Sequence, residues 1–157
     1  MQDYTLILAS ASPRRAQLLR EAGYEFTVRP SPYEEPAEGL NQPPAQHAES
    51  LSYFKARSVA DELSAGIVLG ADTVVAYGGH IFGKPADADD AKRILGTLAG
   101  TTHEVITGVT LIDAAGERRL IKHEITRVRM RPMSLAALDA YIATKAWQGK
   151  AGAYGIQ

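Results

Sequence analysis

The stretch GIVLGADTVVAYGGHIFGKP, residues 66–85, constrains the fold more than any other part of the chain. Ile67 to Tyr77 is almost wholly apolar, a second β-prone run follows, and the two flank Gly78-Gly79. A Gly-Gly pair suits a tight hairpin, so the segment predicts two antiparallel strands, the first apolar enough to be buried. Asp72 interrupts that apolar run, and an unpaired carboxylate there is expensive. It sits in a turn after Gly70, is satisfied by backbone donors, or belongs to a site. Lys84, before Pro85 at the end of the second run, can reach the same place or stand as an ordinary exposed loop lysine.

Around this hairpin, β-prone runs alternate with helical patterns, which predicts one domain over residues 1–157 built on a mixed α/β sheet. A first strand is expected over Thr5 to Ala9. The helix after it, Pro13 to Ala22, carries Ser12 as N-cap, Pro13 at its first position and Gly23 past its end. A second strand follows near Phe26 to Val28. Residues 30–44 hold five prolines and the Glu34-Glu35 pair, so they form a loop, and one this long is more often functional or mobile than a simple connector. A long helix is expected from Ala45 to Ser64. Asp87 caps another, with Ala91, Ile94, Leu95 and Leu98 on its apolar face and Gly100 as its stop. Strands over Val105 to Ile112 and Leu120 to Met130, linked around Ala115-Gly116, form a meander. Ser134 caps a last helix, Leu135 to Thr144, before the glycine-rich GKAGAYGIQ.

The 157 residues are 45% hydrophobic and 22% charged, a soluble globular balance, and the net charge of −1 argues against a dedicated nucleic-acid binder. Cysteine is absent, which excludes disulfides and thiol chemistry. No apolar stretch approaches the roughly 20 residues of a membrane span, and the Ala-Ser-Ala near the N-terminus follows too short an apolar run for a signal peptide. The chain is expected to be cytoplasmic.

Three further features carry chemistry. Arg14 and Arg15 stand in the first turn of a helix, where the dipole opposes cations by about 0.3–1 kcal/mol each. Either both side chains extend into water, or the junction SASPRR, with its free N–H groups, two serines and two guanidinium forks, cradles an anion such as phosphate. Lys55 falls in the stripe Leu51, Lys55, Val59, Leu63, so its stem covers apolar surface or its amine enters a cleft. Glu34 and Glu35 are solvated loop acids, or one joins Asp72 as an oxygen ligand for Mg²⁺. His47, His80, His103 and His123 lack metal-ligand spacing, and both the phosphate-binding G-x-x-x-x-G-K-[ST] and the dinucleotide G-x-G-x-x-G patterns are missing. Arg127, Arg129 and Arg131 alternate along a strand, a basic stripe or a charge-blunted edge.

SASPRR, the Glu35 loop, GADTVV with GKP, and AGAYGIQ, in this order from Leu6 to Gln157, resemble the Maf-type nucleoside triphosphate pyrophosphatases. KAGAYGIQ is similar to the branch acting on dTTP and UTP. The resemblance implies hydrolysis of a nucleoside triphosphate to its monophosphate and pyrophosphate. It also implies an elongated, twisted mixed sheet with flanking helices and a cleft between two lobes, dependence on Mg²⁺ or Mn²⁺, and a homodimer. Carried over residue by residue, it puts Ser10, Arg14, Arg15, Lys55, Lys84 and Gln157 on the triphosphate. Asp72 becomes the carboxylate that activates water, directly or through the metal, Glu35 its metal-binding partner, and Lys84 a member of the catalytic set. Glu35 rather than Glu34 takes that role because it holds the second position of the acidic pair. The family pattern continues some tens of residues past the glutamine, so this form is expected to lack the C-terminal segment.

A triphosphate calls for several cations and a divalent ion, and nearby positive charge is expected to lower the Asp72 pKa and keep it ionised. Removing Arg14 or Arg15 is expected to cripple turnover while sparing the empty fold. The alternatives are the same chemistry on 7-methyl-GTP or another modified nucleotide, and a non-catalytic regulator binding nucleotide or nucleic acid. Neither a membrane nor a stable nucleic-acid partner is expected.

Overall fold

The computed structural model of the chain describes residues 4–36, 41–116 and 118–155. Among these described residues are six strands and four α-helices in a mixed α/β arrangement, in the order β1 (Leu6–Leu8), α1 (Pro13–Glu21), β2 (Thr27–Val28), α2 (Pro44–Ala60), β3 (Ile67–Tyr77), β4 (His80–Phe82), α3 (Ala88–Leu98), β5 (Thr102–Asp113), β6 (Arg119–Arg129) and α4 (Leu135–Ala143). Five strands line up as β2-β1-β3-β5-β6, and β4 pairs with β3. Strand β1 is parallel to both neighbours, with Ile7 opposite Thr27 and Val68, whereas β3 and β4 are antiparallel, with Tyr77 opposite His80. The connecting Gly78 and Gly79 have φ of 58° and 80°, the left-handed pair a two-residue hairpin needs.

By packing the chain divides into two compact units, residues 1–72 with 107–124, and 73–106 with 125–157. The core of the first joins Ile7 and Ala9 of β1, Ala56, Val59 and Ala60 of α2, Val68 of β3 and Ile112 of β5. The face of α2 is laid directly on the strands, because Gly70 and Gly108 leave no side chain beneath it and the buried hydroxyls of Ser52 and Thr110 meet at 2.7 Å. That close approach fixes where Lys55 emerges.

The second unit packs Ala91, Ile94, Leu95 and Leu98 of α3, the face expected from its spacing, against Val75, Phe82, Leu138 and Trp147. Helix α3 opens with a reciprocal cap: the Asp87 side chain accepts from the Asp90 N–H at 2.8 Å, and the Asp90 carboxylate accepts from the Ala86 N–H at 3.1 Å. His103, 2% exposed, has its tautomer set by its neighbours. Thr101 Oγ1 donates to the Leu98 carbonyl at 2.7 Å, so it accepts from His103 Nδ1 at 3.2 Å, and Nε2 then accepts from the Tyr154 hydroxyl at 2.6 Å. Burial lowers the His103 pKa, which keeps the ring neutral and that pattern intact. Tyr154 lies in AGAYGIQ, whose Ala151–Ala153 forms a short 3₁₀ turn with Gly152 and Ala153 at φ 70° and 63°.

Most expected elements are present, with shifted ends. Helix α2 stops at Ala60 instead of reaching Ser64. Its chain tightens there, with Glu62 N–H on Val59 O and Leu63 N–H on Ala60 O, in order to turn through Gly66 at φ 114° into β3. Strand β6 stands at an end of the strand order with Arg127 and Arg129 exposed, which favours the charged-edge reading of the alternating arginines. Among the described residues no helix is long and apolar enough to cross a membrane.

Candidate active site

Strand β1 ends in a sharp junction with α1. Ser12 caps the helix, its hydroxyl accepting from the Arg15 N–H at 3.5 Å. Ser10, 8% exposed, accepts from the Ser12 N–H at 3.2 Å and from Arg15 Nη1 at 3.3 Å. The same Arg15 nitrogen donates to the Ala71 carbonyl at 2.8 Å, one residue before Asp72. Arg15 therefore lies along β3 and cross-links the helix start to the strand, whereas Arg14 is exposed.

This difference divides the arginine expectation. Arg14→Ala should leave the fold untouched, but Arg15→Ala takes its donor from the Ala71 carbonyl and leaves the Ser10 hydroxyl with the Ser12 N–H alone, at a cost of about 1–3 kcal/mol. Thermal melting should separate the two variants, with only Arg15→Ala lowered.

Asp72 is neither in a turn nor satisfied by backbone: it lies in the middle of β3 at 7% exposure and accepts from Lys55 Nζ at 2.5 Å. Lys55 Nζ also donates to Glu35 Oε1 at 2.6 Å, so two carboxylates meet on one ammonium. Burial would lower the Lys55 pKa, but the charges and hydrogen bonds of Asp72 and Glu35 together outweigh it and the net shift is upward. Arg15 is held somewhat below its ordinary value by burial, against the pull of Asp72 and Glu35, and remains a cation.

The expectation that the cations would depress Asp72 is corrected. Its pKa is raised from 3.8, because burial penalises the charged form and the neighbouring Glu35 adds like-charge repulsion; Lys55 and Arg15 offset only part of this. Residue counting registered the cations and not the desolvation.

Ser10, Arg15, Glu35, Lys55 and Asp72 thus form one connected cluster within the first unit. Lys84 belongs to the second unit, exposed just after β4, and its role rests on the GKP motif. Gln157 lies outside the described residues. No group of three or more His, Asp or Glu side chains is gathered to hold a metal among the described residues. Glu35 and Asp72 supply two hard oxygen donors that already share a cation, a set that could hold a hard divalent ion such as Mg²⁺ completed by other oxygen ligands.

Sequence reasoning missed the contacts that hold the Glu35 loop. Ser31 Oγ lies 2.8 Å from Ser58 Oγ, and Tyr33 stacks on Phe54 with ring centroids 5.1 Å apart at 22°. Their partners lie 20 or more positions away on α2, so no local pattern discloses them.

The family model described as Maf-like protein matches residues 5–157. Among curated proteins, the chain is 45% identical over 152 residues to the dTTP/UTP pyrophosphatase of Ruminiclostridium cellulolyticum, covering 97% of this chain and 79% of that one. It is 45% identical to the dTTP/UTP pyrophosphatase of Symbiobacterium thermophilum, with 97% and 77% covered. For that of Citrifermentans bemidjiense the identity is 42% over 158 residues, with 100% and 81% covered.

Proposed function

Because the chain belongs to the family of Maf-like proteins, we propose that it is a nucleoside triphosphate pyrophosphatase that hydrolyses dTTP and UTP to the monophosphate and pyrophosphate. The observation that carries the reading is the buried Asp72 carboxylate, held in mid-strand beside Lys55, Arg15 and Glu35. A carboxylate kept out of water at a cost, in the middle of a strand and beside two cations, is the kind of group active sites retain.

In the reaction the oxygen of a water forms a bond to the α-phosphorus, and the bond from that phosphorus to the bridging α,β oxygen breaks. Ionised Asp72 accepts the proton of the attacking water. Arg14, exposed at the start of α1, and the serine-rich junction beside it bind phosphate oxygens. Lys55 and Lys84 balance charge that collects on the departing pyrophosphate. Lys55, with its raised pKa, stays protonated throughout and exchanges its carboxylate partners for phosphate oxygens. A divalent cation, Mg²⁺ or Mn²⁺, would be held by Asp72 and Glu35 and would neutralise phosphate charge and polarise the α-phosphoryl group. Gln157 is assigned to the substrate on the AGAYGIQ motif, which His103 secures through Tyr154. The same reading includes a cytoplasmic homodimer.

The test is a panel of standard and modified nucleoside triphosphates with Mg²⁺, scored separately for pyrophosphate and orthophosphate. Pyrophosphate from dTTP and UTP is the expected product. Preference for 7-methyl-GTP would move the substrate, and nucleotide binding without any release would overturn the enzymatic reading. Arg14→Ala should raise the KM for dTTP with melting unchanged.

A further inference from the structure

The segment 31–35 lies against α2 through its odd-numbered residues. Ser31 meets Ser58, Tyr33 stacks on Phe54, and Glu35 pairs with Lys55, so all three contacts fall on residues 54–58 of the helix. Ser58 Oγ donates to the Lys55 carbonyl at 3.0 Å and so accepts from Ser31, whose own oxygen accepts from the Tyr33 N–H at 3.1 Å. Residues 32 and 34 are exposed while 31 and 33 are half-buried. Pro30, Pro32 and Pro36 restrict φ and need no N–H partners, which lowers the cost of ordering the segment. A contact separates the two acids: both are exposed, but Glu35 is the one that reaches Lys55 on the helix.

We propose that Tyr33, through its stack on Phe54, is a positioning residue that holds Glu35 at the metal-binding site. The inference rests on the assignment of Glu35 as a metal ligand made above. Glu35 is itself half-exposed on a loop without regular structure, so its pairing with Lys55 alone is a surface ion pair of small worth. The aromatic stack and the serine pair supply the order that a two-carboxylate site requires, as outer contacts do for metal ligands generally.

Two readouts test this in the whole chain, namely the Mg²⁺ concentration giving half-maximal pyrophosphate release at saturating dTTP, and amide hydrogen exchange of residues 31–35 without nucleotide. Tyr33→Ala is expected to raise half-saturating Mg²⁺ by about tenfold or more. It should also speed exchange across the segment, with the KM for dTTP at saturating Mg²⁺ and the melting temperature unchanged. Tyr33→Phe, which keeps the ring, should restore both readouts. Glu35→Gln separates the two claims. If it raises half-saturating Mg²⁺ and Tyr33→Ala does not, the positioning role is overturned and the ligand assignment stands; if neither does, both fall. Unchanged exchange in Tyr33→Ala overturns the proposal whatever the kinetics. So does a higher KM for dTTP with unaltered Mg²⁺ dependence, which would make the ring a nucleobase platform.

Discussion

Asp72→Asn is expected to reduce pyrophosphate release from dTTP by about 10²–10⁴-fold, the usual contribution of a positioned general base. Asparagine has nearly the same shape and keeps an oxygen toward Lys55, so nucleotide binding should survive and the loss should fall on kcat. Stability is pulled in two directions. The Asp72 pKa is raised in the folded chain by burial, so ionising it costs stability above the folded pKa and costs nothing below the unfolded value. Asparagine escapes that cost, but it also withdraws one of the two carboxylates that raise the Lys55 pKa and leaves that lysine, 15% exposed, with Glu35 alone. The two changes oppose each other, so the variant should melt close to the wild type at neutral pH. In the metal-free chain the Asp72 carboxyl should accordingly titrate above a free aspartate, which its carboxyl chemical shift followed against pH checks. Full activity in Asp72→Asn would overturn the mechanism.

Much of this was legible in the chain because local signals agreed with the packing. Ser12, Asp87 and Ser134 cap the helices they were expected to cap, and Gly78-Gly79 turns the expected hairpin. The stripe Leu51, Lys55, Val59 placed a lysine among core positions, and its side chain is in fact only 15% exposed. What escaped is what depends on three dimensions. Desolvation reversed the sign expected for Asp72, and contact with the Ala71 carbonyl made Arg15 partly structural while Arg14 stayed exposed. The order of the Glu35 loop depends on partners about 20 residues or more away on α2, which no local pattern encodes. His103 lacks any telling sequence pattern, because its bond to Tyr154 spans 51 positions and leaves no trace in spacing.

Gly70→Ala should be among the most damaging substitutions that touch no charged group. A Cβ at Gly70 would lie 2.3 Å from the Ser52 carbonyl oxygen and 2.7 Å from the Ala56 nitrogen; one at Gly108 would lie 2.2 Å from the Ala48 oxygen. These obstacles are backbone atoms of α2, so no side chain can swing aside and the helix itself must retreat from β3 and β5. Neither glycine is among the positive-φ residues, so the effect is steric contact and not backbone conformation. Overpacking of this kind typically costs about 1–3 kcal/mol and here should reach or pass the upper end. It would also stretch the buried bond between Ser52 and Thr110 and carry Lys55 away from Asp72. Activity per folded molecule should therefore fall as well as the melting temperature, which a pure stability defect would not produce when assayed well below the transition. Gly96→Ala is the control: in α3 the nearest atom to its new Cβ would be Leu138 Cδ2 at 4.0 Å. There the gain in helix propensity, about 0.5–1 kcal/mol, should raise the melting temperature and leave turnover alone. Equal tolerance at Gly70 and Gly96 would mean that α2 is not seated by its glycines, and the account of how Lys55 is positioned would fail with it.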